Sequence, residues 1–386
     1  MSRDLIVFGE DWGGLPSSTQ HLIRHLAVKR KIIWINSIGL RQPHLSVHDI
    51  MRVLKKLSAK TICNKPAQEK LALHNITIVN PITLPAPRTC FSRELASNWL
   101  SRQLLPIIKR AKLRDPIMWT SLPTAVDVAD KLGTTSLVYY CCDDFSSLAG
   151  VDHNTVVRRE AELVEKADLI LASSETLVSR FPHQRTKFLP HGVDYTLFSI
   201  PVLRAPDLPD NQRPIAGFYG SLSEWLDYNL LDTIISVLPY WDFVFIGSAC
   251  KRALLLKSYS NVTLLAHRPH HLLPSYSQHW TVSMLPFTSN AQIKSCNPLK
   301  LREYLATGTP IISTPFPAIT SYSSFVSIVQ TAYEMVSALE QVRFQQIHEK
   351  RYESCNRLRR KQQQNAVKLH TWESRAKDLE RWLDAL

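Results

Sequence analysis

The sequence predicts an α/β protein of two Rossmann-like domains in series, on three observations. Short apolar runs alternate with helical patterns along most of the 386 residues. The alternation pauses between Pro201 and Pro214, where four prolines stand among few apolar residues. It then restarts at Ile215 with a strand, a glycine turn and a helix.

The first strand is Leu5 to Phe8, and it feeds the turn-rich loop Gly9-Glu10-Asp11-Trp12-Gly13 and a helix from about Ser18. This loop lacks the G-x-G-x-x-G spacing and carries two acids, which argues against a dinucleotide phosphate there. Glu10, Asp11, Trp12 and Gly13 are therefore candidates to meet an acceptor or a sugar. His21 and His25, one helical turn apart, read either as a ligand-facing pair or as an ordinary surface pair. After the strand at Ile32 to Asn36, apolar Val47, Ile50, Met51, Leu54 and Leu57 recur at helical spacing, with Arg52, Lys55, Lys56 and Lys60 on other faces. Such a basic amphipathic helix suits an anionic lipid surface or a solvated face over a core stripe.

Strand Ile76 to Val79, a proline-rich crossing at 81–87 and a long amphipathic helix from Ser92, bent at Pro106, come next. Strand 117–120, helix 123–132 and strand 136–142 follow, the last ending in Asp143-Asp144. Carboxylates at the carboxyl end of a parallel strand face the crevice where ligands bind, so Asp143 and Asp144 are the candidate catalytic residues; capping of the next turn is the alternative. Further alternation through Leu189 completes a mostly parallel, doubly wound sheet. At its exit stand His191 and Gly192, where a glycine lets the backbone approach what a side chain would block.

The second domain opens with Ile215 to Tyr219 and the turn Gly220-Ser221, whose backbone and hydroxyl suit a phosphate or sugar. Strands near 242–246, 262–265 and 282–285 lead to the loop holding Lys294, placed to reach a diphosphate. Asn297 then reads as an N-cap and Pro298 as the first position of a helix carrying Leu299, Lys300 and Glu303 and stopped by Gly308. A helix N-terminus for phosphate, with a carboxylate one turn on for vicinal hydroxyls, is what a nucleotide diphosphate needs. The remainder is helical, with a basic stretch from Lys350 to Lys361 and an apolar side on the last helix at Trp372, Leu379, Trp382 and Leu383.

Forty-six Lys and Arg against thirty-three Asp and Glu leave a formal charge of +13, so an anionic partner is expected. A nucleic acid, an anionic membrane surface and a phosphorylated substrate all fit, and without aromatic RNP-type motifs or finger spacings the nucleic acid is disfavoured. The seven cysteines show neither C-x-x-C nor metal spacing, so reduced thiols and no metal are expected. With no signal-peptide core or apolar run of spanning length, the expected location is cytoplasmic or peripheral on the inner membrane face.

Taken together, His191-Gly192-Val193-Asp194, Phe218-Tyr219-Gly220-Ser221-Leu222, Leu285-Pro286, the run from Pro298 through Glu303 to Ile312, and a terminal helix bearing Trp372 resemble the GT-B glycosyltransferases of the retaining class called family 4 or group 1. The resemblance runs over nearly the whole length and is most specific in the second half. It implies an acceptor-binding domain over 1–200, a linker over 201–213, a sugar-nucleotide domain over 214–365 facing the first across a cleft, and a helix over 366–386 crossing back. It also implies a UDP- or GDP-linked donor, a glycan or lipid-linked acceptor, and cell-surface polysaccharide synthesis. By position, Glu303 would take the ribose hydroxyls, amides around Asn297 to Leu299 the phosphate or sugar, Gly220 the diphosphate, and His191 with Gly192 the hinge. Three positions depart from the family pattern. Ser295 stands where an acid is usual, Ser221, Ser223, Glu224 and Asp227 where an Arg and a Lys are usual, and Cys142-Asp143-Asp144 where a histidine is usual. Donor phosphate then falls to Lys294 or Lys300. A sugar-nucleotide epimerase of the same architecture and a non-catalytic basic scaffold are the rival readings.

Overall fold

The computed structural model describes residues 2–14, 17–38, 74–84, 86–148 and 151–386. The basic helix expected at 47–60 lies outside them. The chain divides into two compact units, Met1–Pro190 with Arg375–Leu386, and His191–Ser374.

The first unit holds a seven-stranded parallel sheet. Its strands are β1 (Leu5–Phe8), β2 (Ile32–Ile35), β3 (Ile76–Val79), β4 (Ile117–Thr120), β5 (Ser136–Cys141), β6 (Leu169–Ala172) and β7 (Thr186–Phe188), in the order β3-β2-β1-β4-β5-β6-β7. β1, β2, β4 and β6 are buried along their whole length. A parallel sheet covered on both faces demands that, and it is why these strands read as unbroken apolar runs. The helices α1 (Ser18–Leu26), α2 (Cys90–Ala111), α3 (His153–Lys166) and α4 (Glu175–Val178) connect them. α1 starts where the Ser17 hydroxyl accepts from the Gln20 amide, and α2 where Thr89 and Ser92 form a reciprocal cap. α2 runs on through Pro106 to Ala111. Within this unit Arg30, fully buried at its side chain, pairs with Asp384 at 2.6 Å.

The second unit, taken by itself, repeats the plan with six parallel strands: β8 (Ile215–Tyr219), β9 (Asp242–Ile246), β10 (Val262–Leu265), β11 (Val282–Leu285), β12 (Ile311–Ser313) and β13 (Ser327–Ile328). Their order is β10-β9-β8-β11-β12-β13. Its helices are α5 (Tyr195–Ser199), α6 (Tyr228–Val237), α7 (Lys251–Leu255), α8 (Pro274–Ser277), α9 (Ala291–Ser295), α10 (Leu299–Thr307), α11 (Ala332–Ile347) and α12 (Glu349–Val367); α13 (Trp372–Leu383) continues into the first unit. In each sheet the strand order reverses once, between β1 and β4 and between β8 and β11. Those reversals are where open α/β sheets bind ligands.

The proline-containing segment 201–213 makes contacts within the second unit. Val202 donates to Gln278 Oε1 at 3.0 Å, Ala205 to the Ser275 carbonyl at 2.9 Å, and Ala205 and Leu208 are buried in the second unit's core. Proline suits a fixed extended segment as well as a loose one. Among the described residues no helix is long and apolar enough to cross a membrane.

Candidate functional site

The reversal between β8 and β11 is built around a backbone contact that excludes side chains. Gly220, at the exit of β8, has φ +133, and Gly247, at the exit of β9, has φ +147. A Cβ on Gly247 would lie 1.9 Å from the Gly220 carbonyl oxygen. Both positions require glycine, and the two strand exits close on each other. A Cβ on Gly220 would in turn lie 2.9 Å from Lys300 Nζ.

α10 projects its residues at this point. Pro298, not Asn297, is the cap residue, and no side chain caps the first turn. Asn297 is buried, and its side-chain oxygen accepts from Arg302 Nη1 at 2.8 Å. A buried guanidinium needs acceptors more than the helix needs a side-chain cap, so the Asn297 oxygen goes to Arg302 and no side chain caps the first turn of α10. Lys300 lies over the faces of Phe218 and Phe287, its ammonium 5.0 and 5.8 Å from the ring centroids. Burial lowers its pKa, against the opposing pull of Cys296 and Glu303. Leu299 and Pro298 line the same turn, and Gly308, at φ +73, ends the helix.

Glu303 is 8% exposed and carries two donors. Tyr219 Oη donates to Oε2 at 2.5 Å, and His270 Nε2 sits 2.8 Å from Oε1. Burial by itself would raise this carboxyl, but the bond and charge of His270, the Tyr219 hydroxyl and the Lys300 charge hold it below the ordinary carboxylate value. Tyr219 is itself set by Tyr304, whose hydroxyl accepts the Tyr219 amide at 3.1 Å. The sequence reading missed His270 and Gly247. The glycine was legible as a turn after a strand; the histidine had no signal beyond its place after β10.

The other residues expected here are spread more widely. Ser221 bonds Ser223 at 2.9 Å beside Gly220. Lys294 is exposed on the short α9, so Lys300 is the lysine that stands against Gly220. Ser295, the position expected to be acidic, is buried. His191 and Gly192 pack elsewhere in this unit. A Cβ on Gly192 would meet the Trp372 backbone at 2.7 Å, and the Val193 amide donates to the His370 carbonyl at 2.9 Å. His191 is buried, and burial with the nearby Arg302 charge pushes its pKa down to about 3.

In the first unit the carboxylates flank the reversal between β1 and β4. Glu10 accepts from the Ser17 hydroxyl and from Gln20 Nε2, and burial raises its pKa. The Trp12 amide donates to Asn36 Oδ1 at 2.8 Å, the Ser37 amide to Asp11 at 3.2 Å, and the Gly13 amide to Gln20 at 3.2 Å with φ +77. Asp143 and Asp144 follow β5 and separate in character. Asp144 pairs with Arg180 and Ser146, which overcome its burial and hold it below its ordinary value. Asp143 is raised by burial and by Asp144. Beneath them Glu160 accepts from Tyr139 at 2.6 Å and lies 3.5 Å from Arg180.

No family model matches the chain. A relative from Bacillus subtilis strain 168, named as the teichuronic acid biosynthesis glycosyltransferase TuaH, is 22% identical over 222 residues, covering 52% of this chain and 56% of the relative. The match thus spans little more than half the length of that curated relative. Among solved structures, Anabaena HepE in complex with UDP superposes with a TM-score of 0.67 at 12% identity, over 99% of this chain and all of that one. Sucrose-phosphate synthase from Thermosynechococcus elongatus gives 0.70 at 16% identity over 99% of each. These likenesses show the fold: the chain has the GT-B fold.

Proposed function

We propose that the protein is a glycosyltransferase that moves a sugar from a nucleotide diphosphate donor to a glycan or lipid-linked acceptor in cell-surface polysaccharide synthesis. The observation that carries this reading is Glu303, held ionised by His270 and Tyr219 one turn beyond the uncapped start of α10, with Lys300 against Gly220. Each carboxylate oxygen keeps a lone pair for one of the two vicinal ribose hydroxyls. The α10 amides and Lys300 take the diphosphate, where Gly220 leaves room for it, with Ser221 alongside. The TuaH and HepE likenesses agree with this reading in substrate class.

In the step itself the acceptor hydroxyl oxygen bonds to the anomeric carbon, the bond from that carbon to the diphosphate oxygen breaks, and the hydroxyl proton leaves. The departing diphosphate gains charge, which Lys300 and the helix start stabilise where water is sparse. Asp143, its pKa raised by burial and by Asp144, is the first unit's group suited to receive the proton. The first unit is read as the acceptor side, working at the cytoplasmic face of the membrane.

Calorimetric titration with UDP and GDP tests the donor site. Wild type is expected to bind one of them, and Glu303→Ala to lose it. Absence of binding by wild type to any nucleoside diphosphate would overturn the reading and favour a non-catalytic scaffold.

A further inference from the structure

α2 has an apolar face where a surface helix should be polar. It already buries Leu100 and Leu104 in the first unit's core, with Ala96 also buried, so its opposite side is the one expected to meet water. On that side Phe91, Leu95 and Trp99 follow at four-residue spacing and are 80%, 51% and 44% exposed. Ile82 and Leu84, 56% and 40% exposed, stand beside them. The Gln103 side chain ties this strip to α2, accepting the Ile82 amide at 3.0 Å and donating to the Ile82 carbonyl at 2.7 Å. A shallow recess of about 20 Å³, lined by Ile38, Leu84, Ala96 and Leu100, opens alongside.

The same stripe turns basic toward the helix C-terminus. Arg102 and Lys109 continue it and Arg110 adjoins it; all three are exposed, and none is ion-paired among the described residues. Glu94, the acid of this helix, is taken by Lys131 at 2.7 Å. A second copy of the chain would bring no free acid on this face to match the three cations, whereas an anionic bilayer matches both halves of the stripe.

We propose that this face docks on an anionic lipid bilayer. Phe91, Leu95 and Trp99 enter the boundary between headgroups and acyl chains, and Arg102, Lys109 and Arg110 lie on lipid phosphates. The proposal rests on the reading of an enzyme working at the membrane, but its test needs neither donor nor acceptor.

The full chain is sedimented with vesicles of phosphatidylcholine alone and of phosphatidylcholine with phosphatidylglycerol. Wild type is expected to pellet with the anionic vesicles. Phe91→Ser/Leu95→Ser/Trp99→Ser should weaken that binding about tenfold or more, and Arg102→Glu/Lys109→Glu/Arg110→Glu on the order of a hundredfold. Both variants should keep the nucleotide binding of wild type, which also reports that they fold. The proposal is overturned if wild type stays in the supernatant or if the triple serine variant pellets like wild type. It is equally overturned if light scattering shows a wild-type dimer that the serine variant dissolves, since the face then belongs to a second copy. Vesicle binding without nucleotide binding would sink the donor site and leave this face standing; the reverse would sink this face alone.

Discussion

Glu303 in the second unit and Asp143 in the first are both carboxylates near a reversal of strand order, yet their surroundings push them in opposite directions. Glu303 meets a histidine, a tyrosine hydroxyl and a lysine charge and is held ionised despite burial. Asp143 meets burial and a second acid and is held toward its neutral form. A carboxylate pinned by two donors is oriented before a ligand arrives, which suits hydroxyl recognition. One left desolvated beside a like charge is poised to take a proton. The backbones differ in the same sense. The second unit's turn is closed by Gly247 on Gly220, whereas the first unit's Gly13, at φ +77, has nothing within 4 Å of an added Cβ.

The largest effect should come from challenging that closure. Gly247→Ala puts a methyl group into the Gly220 carbonyl at a backbone angle that L-residues avoid, at a cost of about 3 kcal/mol or more. Gly13→Ala has the backbone penalty alone, about 1 kcal/mol. With two units, a single melting point mixes them, so local hydrogen exchange is the measurement. Equal effects at both glycines would show that the second unit's turn can relax and is no more preorganised than the first unit's.

Next in size, Glu303→Gln keeps the shape and loses the charge. It should weaken nucleoside diphosphate binding by about 1.5–3 kcal/mol, ten- to hundredfold, in the same calorimetric titration. Asp143→Asn should leave that binding unchanged. If D143N weakens nucleotide binding as much as E303Q does, the division of labour between the two carboxylates fails.

Why the sequence exposed one half of this contrast better than the other is a matter of range. Strands buried on both faces, such as Leu5–Phe8 and Ile215–Tyr219, must be apolar throughout, so both sheets could be read locally. α10 could be read from Pro298 and Gly308, which act on their own neighbours. Its partners could not: Tyr219 lies 84 residues from Glu303 and His270 lies 33 away, and only the strand order brings them together. The N-cap rule misassigned Asn297 for the same reason, because the guanidinium that claims its oxygen is a matter of burial rather than of local sequence. Asp143 and Asp144 were legible as a pair, while their separation depends on Arg180, 36 residues beyond Asp144.

A smaller effect should follow pH in the second unit. His191 is neutral when folded, with a pKa of about 3 against an ordinary 6.5. The unfolded chain therefore binds the extra proton between those values, and stability present above pH 6.5 is lost as pH falls toward 3. One unit below 6.5 the loss is about 1.4 kcal/mol. Hydrogen exchange in the second unit at pH 7 and pH 5.5 should show it, and His191→Gln should flatten it. Glu303 behaves alike at lower pH, since its depressed pKa makes its contribution vanish only well into the acid range. If H191Q keeps the full slope, the proton is taken up elsewhere.

The smallest effect has the opposite sign and lies in the first unit. Because the Asp143 pKa is raised on folding, the folded chain binds its proton more tightly, and the stability lost to its burial builds up as pH rises from 3.8 through the folded value and is complete above it. Asp143→Asn removes that cost, so exchange near β5 at pH 7 should slow by the equivalent of about 0.5–1 kcal/mol. The gain should disappear below pH 3.8, the ordinary value for this carboxyl, where the wild-type group is also neutral. Asp144→Asn should act the other way at neutral pH, because Arg180 loses its counter-charge and the Ser146 hydroxyl an ionised acceptor. A residue kept for structure is destabilising to replace, and a residue kept for proton transfer is often stabilising to replace. If D143N destabilises as D144N does, Asp143 is a ligand of the fold and the proton acceptor must be sought elsewhere in the first unit.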